Sequence, residues 1–483
     1  MKIALINPRV ESYSSSLPPL GLLYVAAVLE KEGFEVKIFD MHPRETRDLD
    51  KIISFSPEIV GVSIITAYVT RAKKILINLR KHLKRTYFVI GGVHPTALPE
   101  HSIDFFEADC IVIGEGEETM KHLCHAIQQG TSLDKVEGIL YRNASGELKR
   151  TDDRKLIENL DTLPFPARHL IEFEKYLFPP GVIRGYWSES CTSVMTSRGC
   201  PYQCIWCGSQ IIFGRKVRRR SIGNVIQEIE WLKRKYKVDT IWFIDDTFTI
   251  SKKWITDFCN QLMMENIDLK WGCQAHVETV DEEMMVLMKK AGLVQLDFGV
   301  ESGSDKVLRI LKKHSDEKKI ENAFRMAKKV GIRTMATFMF GNPGENKEDI
   351  EKTFQLAKRI KPNFVSSYFL TPFPGTELME MAEKNHWLIS NNYDSGGLKK
   401  EPMMTINFSP KHLIKIRARF QRQFVLTNFF SLLKNFYYMK NAISLVLRYP
   451  KGIWMGMQAF FKTHVFDDFV FTFLTYYAEQ REK

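Results

Sequence analysis

The 483-residue chain has no stretch of eighteen or more apolar residues, so no membrane-spanning helix is expected. Cysteine is scarce, with eight in the whole chain, too few for a disulfide framework. A reducing cytoplasm is the expected compartment. The opening run Met1-Lys2-Ile3-Ala4-Leu5-Ile6-Asn7-Pro8 lacks the apolar core and small-residue cleavage site of a signal peptide. It reads instead as a strand entering a loop. Acidic residues are missing altogether between Glu401 and Asp467. What remains is the composition of a folded protein, 44% apolar and 26% charged. At this length two or three domains are expected. The net charge of +12 points to an anionic partner without choosing between nucleic acid, a membrane surface and a substrate.

Three of the cysteines, Cys200, Cys204 and Cys207, share the run Ser-Arg-Gly-Cys-Pro-Tyr-Gln-Cys-Ile-Trp-Cys-Gly. Thiolates at this spacing can hold three irons of a cubic [4Fe–4S] cluster, leaving the fourth iron open to bind something else. In a ferredoxin run every iron is closed, and the spacing differs. Zinc would need a fourth ligand. His276 or Cys191 could serve, but neither has finger-like spacing.

Around this run the chain alternates strands and helices. Short apolar strands at Ile3–Ile6, Val36–Phe39, Ile59–Ser63, Phe88–Ile90 and Cys110–Ile113 alternate with helices such as Leu20–Lys31 and 70–84. This pattern predicts βαβ units and a parallel sheet whose ligands bind at the strands' carboxyl ends. Those ends are small or polar: Asn7-Pro8, Ser63, Gly91-Gly92 and Gly114. They could admit a flat ligand close to the backbone, or be ordinary turn chemistry. Residues 136–185 read as a connector with a small hairpin. A second series follows, with strands at Val194–Thr196, Thr240–Ile244, Leu269–Cys273, Leu296–Val300, Thr334–Phe340 and Phe364–Leu370. Six such repeats suit an incomplete parallel barrel with its reactive groups on the loops after the strands.

The cysteine run resembles the signature of the radical S-adenosylmethionine (SAM) superfamily. The whole order of motifs resembles its cobalamin-binding members over roughly residues 1–400. Besides the cysteines, the resemblance rests on Leu17-Pro18-Pro19-Leu20-Gly21-Leu22, Gly91-Gly92-Val93-His94-Pro95-Thr96 and Gly114-Glu115-Gly116-Glu117 in the first part. In the second part it rests on Ile244-Asp245-Asp246-Thr247, Gly299-Val300-Glu301-Ser302-Gly303, Gly341-Asn342-Pro343-Gly344-Glu345 and Thr371-Pro372-Phe373-Pro374-Gly375-Thr376. The resemblance implies a Rossmann-like doubly wound cobalamin domain at 1–135 and a connector at 136–185. It implies a partial (β/α)6 radical SAM core at 186–405 and leaves a mainly helical, basic, aromatic region at 406–483. In that family the open iron chelates SAM, and an electron from the cluster splits it to give a 5′-deoxyadenosyl radical.

The roles implied follow the motifs. Cys200, Cys204 and Cys207 would bind the cluster. Asp245 or Asp246 would receive the SAM ammonium, unless the pair only caps the next helix. Gln274, Glu301, Ser302 and Gly341 would contact SAM. Pro19, Leu20, Gly21, Leu22, Ser63, Gly91, Gly92, His94, Gly114, Glu115, Gly116 and Glu117 would border cobalamin. The D-x-H-x-x-G motif that supplies a cobalt-ligating histidine in methionine-synthase-type domains is missing after the first strand. Asp40-Met41-His42 has only its first spacing, so cobalt is expected without a histidine beneath it. His276 stands where relatives often carry arginine.

In the acid-free interval, Leu413, Ile416, Phe420 and Phe424 share one helical face beside Lys415, Arg417, Arg419 and Arg422. Such a segment suits the surface of an anionic bilayer or a helical cap on the barrel. An RNA-binding role is the weaker reading, since no RNA-binding module is visible. The expected activity is methylation of an unactivated carbon in a hydrophobic or membrane-associated substrate, with a ferredoxin or flavodoxin as electron donor. The alternatives are oxidative cyclisation or rearrangement, and a non-catalytic iron–sulfur protein. The expected location is cytoplasmic, with possible peripheral contact at the inner membrane face.

Overall fold

Ile3, Ala4, Leu5 and Ile6 are all fully buried, as a strand covered on both faces requires. They lie in β1 (Lys2–Asn7) of a computed structural model that describes residues 1–9, 17–41, 47–177, 183, 188, 190–390, 401–433, 449–463, 472 and 476. Next come β2 (Glu35–Asp40), β3 (Ile59–Ser63), β4 (Tyr87–Gly91), β5 (Cys110–Val112), β6 (Ile139–Arg142) and β7 (Leu148–Arg150). They form one seven-stranded sheet in the order β2-β1-β3-β4-β5-β6-β7. The first five strands in sequence run parallel. The chain leaves β1 for β2 on one side and then crosses to β3 on the other. That reversal makes a ligand crevice at the carboxyl ends of β1 and β3. Separate apolar cores cover the two faces, so the sheet is doubly wound as expected.

One boundary differs. The hairpin assigned above to the connector pairs antiparallel onto β5 and extends the first sheet to Arg150. Ile139, Leu140 and Tyr141 are buried there, and this edge is where a short apolar strand can hide them.

The second sheet contains β8 (Cys191–Val194), β11 (Thr240–Phe243), β12 (Lys270–Ala275), β13 (Leu293–Glu301), β14 (Arg333–Phe340) and β15 (Phe364–Phe369). Its order is β15-β14-β13-β12-β11-β8, all parallel, and among the described residues the two edges do not pair. This is the incomplete barrel. Its first strand starts and ends earlier than the sequence suggested. Beyond Val194 the chain turns into β9 (Ser197–Arg198), a two-residue strand antiparallel to β10 (Arg218–Arg219). Helices such as Ile222–Tyr236, Lys252–Met264 and Lys347–Ile360 cover the outside over Phe243, Trp271, Phe298, Phe338 and Phe340.

The helix Pro410–Leu433 settles onto this outer layer. The Phe420 ring meets Phe338, Phe340 and Phe354 edge-on at 5.0, 5.1 and 5.0 Å. Burying such a ring contributes about 1.5–3 kcal/mol. Leu413, Ile416 and Phe424 join the same core, and Arg417 Nε donates to the Ser367 carbonyl at 3.0 Å. The apolar face considered for a bilayer therefore serves as a cap on the barrel. Lys434, Phe436, Tyr437, Tyr438, Lys440 and Arg448 lie outside the described residues. No helix among the described residues is long and apolar enough to cross a membrane.

Candidate active site

The cysteine run is a loop closed at its neck by the β9–β10 ribbon. Gly199 passes through the neck at φ +92°. A Cβ there would sit 3.1 Å from the Lys216 carbonyl carbon and closer to its oxygen, so only glycine fits. The loop is pinned by Cys200 N–H to Gly214 O (3.4 Å), Ile205 N–H to Leu311 O (3.3 Å) and Leu378 N–H to Ile205 O (2.9 Å). Cys200, Cys204 and Cys207 are half-buried free thiols, while the other five cysteines are buried. Burial pushes the Cys204 thiol up to about 11, although Lys313 pulls against it, and burial also raises Cys207. Iron binding would displace those protons. Three thiols on one loop suit a cubane, in which each thiolate binds its own iron.

The strand ends surround this loop unevenly. Asp245 is buried and already used. It accepts from Thr196 N–H (3.1 Å), the Thr196 hydroxyl (2.8 Å) and the Ser197 hydroxyl, so it braces the approach to the cysteines rather than facing a ligand. Asp246 accepts from Ser209 Oγ, two residues after Cys207, and keeps carboxylate capacity beside the loop. Glu301 ends β13 at φ +67°, a strained backbone for glutamate of the kind found at functional sites. Its Oε1 lies 3.8 Å from Lys313 Nζ, and burial raises its pKa. Gln274 is exposed at the end of β12.

Two residues expected to contact SAM have neighbours within the protein. Ser302 is buried, with its hydroxyl 3.2 Å from Thr353 Oγ1 and accepting from Ser304 N–H. Gly341, at φ +88°, turns its missing side chain toward Leu413 of the capping helix. The sequence could not show those partners, which come from 50 or more residues away.

Tyr202 and Glu345 carry no role in the sequence pattern, yet both are built into the site. Tyr202, inside the cysteine run, stacks on His276 with ring centroids 4.1 Å apart and planes at 22°. His276 Nδ1 accepts from Glu278 N–H at 3.3 Å, which leaves the proton on Nε2. Burial and the nearby Lys313, His314 and Lys319 push this imidazole down to about 3, so it is neutral. Glu345 is buried and accepts from Gly341 N–H (2.8 Å), Asn342 N–H (3.2 Å) and Asn342 Nδ2 (2.8 Å). Its signal was available: an acid four residues after the glycine that turns the strand end.

In the first sheet the expected cobalamin edge lies at the ends of β1, β3, β4 and β5. Among the described residues no atom lies within 4 Å of where a Cβ would stand at Gly21 or Gly114, so their backbone is approachable. Gly92 (φ +99°) must be glycine, since a Cβ would press on Ile64 O at 2.8 Å. Gly91 pairs with Ser63 at the same edge. His94 is buried, its Nδ1 3.4 Å from Thr66 Oγ1, and its Nε2 has no partner among the described residues. Burial lowers its pKa to about 4. Pro19 is half-buried and precedes the helix Leu20–Lys31, but Leu20 and Leu22 are buried, Leu22 in the core. An approachable glycine edge with an unpartnered imidazole fits a large flat cofactor. Asp40 is occupied by Asn7 Nδ2 (2.8 Å), Arg9 Nη1 (3.2 Å) and the Tyr176 hydroxyl, and His42 lies outside the described residues.

Glu115 and Glu117 do not border that edge freely. Both are buried in ion pairs with arginines of the barrel: Arg198 Nη1 to Glu115 (2.7 Å), Arg198 Nη2 to Glu117 (2.6 Å) and Arg218 Nη1 to Glu115 (2.8 Å). Gly116 packs against Val25. The two ligand edges face each other. Gly375 lies against both Ala97 of the first domain and Ile211 of the helix Ser209–Phe213 that follows the cysteines. Leu17 packs with Trp242, Ile244 and Val294 of the barrel.

Comparison with known proteins agrees with this architecture. A model of the radical SAM superfamily matches residues 194–357, and a model of the B12 binding domain matches residues 6–124. An uncharacterized methyltransferase of Pyrococcus horikoshii is 33% identical over 438 residues, covering 88% of this chain and 93% of the relative. An anaerobic magnesium-protoporphyrin IX monomethyl ester cyclase of Rubrivivax gelatinosus is 29% identical over 396 residues, 79% and 70% of the two chains. A cytidylyl-2-hydroxyethylphosphonate methyltransferase of Streptomyces wedmorensis is 28% identical over 439 residues, 78% and 81%. Among solved structures, the cobalamin-dependent S-adenosylmethionine radical enzyme OxsB superposes with a TM-score of 0.71 at 18% identity. The match covers 93% of this chain and 71% of that one, and it supports the fold. The chain is thus an α/β enzyme that pairs a B12-binding sheet with an open parallel barrel. It belongs to the radical SAM superfamily, among its cobalamin-dependent enzymes.

Proposed function

We propose that this enzyme transfers a methyl group to an unactivated carbon of a hydrophobic substrate held between its two sheets. The observation that carries the reading is the apposition of the two ligand edges at Ala97, Ile211 and Gly375, beside the cysteine loop. Cys200, Cys204 and Cys207 would hold the [4Fe–4S] cluster, Asp246 and Gln274 would orient SAM, and the Gly21, Gly92, His94 and Gly114 edge would hold cobalamin. When bound, these groups supply an electron, a hydrogen-abstracting alkyl radical and a transferable methyl group. Lys313 and Glu301 place a charge pair beside Cys204, and the Tyr202–His276 stack gives the loop a rigid floor. Leu17, Trp242, Ile244 and Val294 pack into an apolar cluster at the junction, which keeps water out there and supports the reading of an apolar substrate.

The methyltransferase name of the 33%-identical relative supports methyl transfer. Oxidative cyclisation is the second reading, favoured by the cyclase relative. Incubating the reconstituted enzyme anaerobically with methyl-deuterated SAM, a ferredoxin or flavodoxin donor, and isoprenoid lipid or tetrapyrrole extracts separates the two. Methyl transfer adds the intact label to product, cyclisation changes product mass without it, and an unchanged extract rejects both for these substrates. We further propose peripheral contact with anionic membrane through the helix Pro450–Thr463, where Trp454 is 60% exposed. Trp454→Ser should weaken flotation with anionic vesicles, and unchanged flotation would reject the contact.

A further inference from the structure

The buried ion pairs between the domains have a particular geometry. Arg198 and Arg218 are register partners in the β9–β10 ribbon, one on each strand of the neck that closes the cysteine loop. A single carboxylate holds both. Glu115 Oε1 accepts from Arg198 and Oε2 from Arg218, and Oε2 also accepts from Ile157 N–H at 2.9 Å. Arg218 is held further by the carbonyls of Ile157 (2.7 Å) and Phe213 (3.1 Å). The Arg198 guanidinium lies over Tyr24 of the first domain at 5.3 Å and over Phe213, just past the cysteines, at 5.4 Å. None of the four charged side chains is more than 4% exposed. Glu115 directly follows Gly114, whose N–H is fixed by Thr96 Oγ1 at 3.1 Å and whose open face belongs to the ligand edge.

We propose that Glu115 is a positioning residue that couples occupancy of the first domain's ligand edge to the conformation of the cysteine loop. This rests on the reading that the edge holds cobalamin and the loop a cluster. A buried carboxylate bridging two guanidiniums, one on each oxygen, tolerates little displacement. A shift at Gly114 therefore moves Glu115, and with it both strands of the neck. Coupling of this kind is reciprocal: cluster loading and cobalamin binding must favour each other by the same factor.

The test measures cobalamin affinity of the full chain with and without a reconstituted cluster. It also follows hydrogen exchange of amides 199–217 when aquacobalamin is added to cluster-free protein. In the wild type the cluster should tighten cobalamin by about fivefold or more, and aquacobalamin should slow exchange in the loop. Glu115→Gln should bring the ratio toward one and abolish the protection. Arg218→Lys keeps the charge and loses the fork; it should give an intermediate ratio and serves if the first variant does not fold. A ratio of one in the wild type, or an unchanged ratio in either folded variant, overturns the proposal and leaves the pairs as interdomain adhesion. Failure of the wild type to take up cobalamin or a cluster would instead overturn the underlying reading.

Discussion

Replacing Gly199 by alanine should disable the cysteine loop while leaving the barrel folded. The residue sits at φ +92°, where a side chain costs about 1–3 kcal/mol of backbone strain. Its Cβ would also be driven into the Lys216 carbonyl, a fixed backbone group, and overpacking of this kind adds about 1–3 kcal/mol. Taken together, about 2–6 kcal/mol would displace the neck, a bias of at least about 30-fold against the loop's native shape. The apolar core lies on the outer face of the sheet and does not include this residue, so the barrel should stay folded. Anaerobic reconstitution followed by iron and sulfide analysis is the assay. Alanine should leave most chains without a complete cluster. Full loading of Gly199→Ala, with wild-type retention on desalting, would refute the argument that the neck geometry gates the site.

Three further outcomes are expected. Glu228 lies fully buried between Arg168 (2.7 Å) and Arg220, so Glu228→Gln would strand two guanidiniums. It should cost about 3–5 kcal/mol, read as a midpoint lowered on the order of 10 °C, and a change under 2 °C would refute it. Because burial raises Cys204 to about 11 from 9.0, its thiolate fraction at pH 8 falls about 100-fold. Alkylation of the iron-free protein, mapped by peptide mass, should then be slow at Cys204, and free-thiol rates would contradict the placement. Burial also raises Glu345 from 4.5 to about 7. Between those values this carboxyl holds more proton in the folded chain than in the unfolded one, so its contribution to stability falls as pH rises from about 4.5 to 7, by on the order of 3 kcal/mol. Glu345→Gln should flatten that slope in hydrogen exchange of residues 341–345, and an identical slope in both proteins would refute the shift.

The sequence showed both sheets because each strand is a short apolar run ended by glycine or a polar residue, a local signal. It also located the cysteine loop, since three thiols within eight residues constrain chemistry without reference to the rest of the chain. What it could not show was who pairs with whom across the fold. Glu115 and Glu117 look like ligand-edge residues in their glycine-flanked motif, but their partners lie 81 to 103 residues further on. Ser302 and Gly341 likewise sit in recognisable motifs yet face Thr353 and Leu413. The basic aromatic helix at 410–424 was legible as amphipathic, but only the exposed barrel side at β15 decides that its face is covered by protein. The arginines flanking the cysteines were the overlooked signal. Arg198 and the run Arg218-Arg219-Arg220 stand in segments otherwise too buried for unpaired charge.

The measurement that tests the central claim most directly is the fate of SAM on the reconstituted protein. With a cluster confirmed by iron and sulfide content, a strong reductant and no oxygen, the account predicts 5′-deoxyadenosine and methionine. It also predicts that Cys200→Ala, Cys204→Ala and Cys207→Ala each abolish them. Intact SAM on the fully loaded wild type, or cleavage surviving loss of any of the three cysteines, would contradict it.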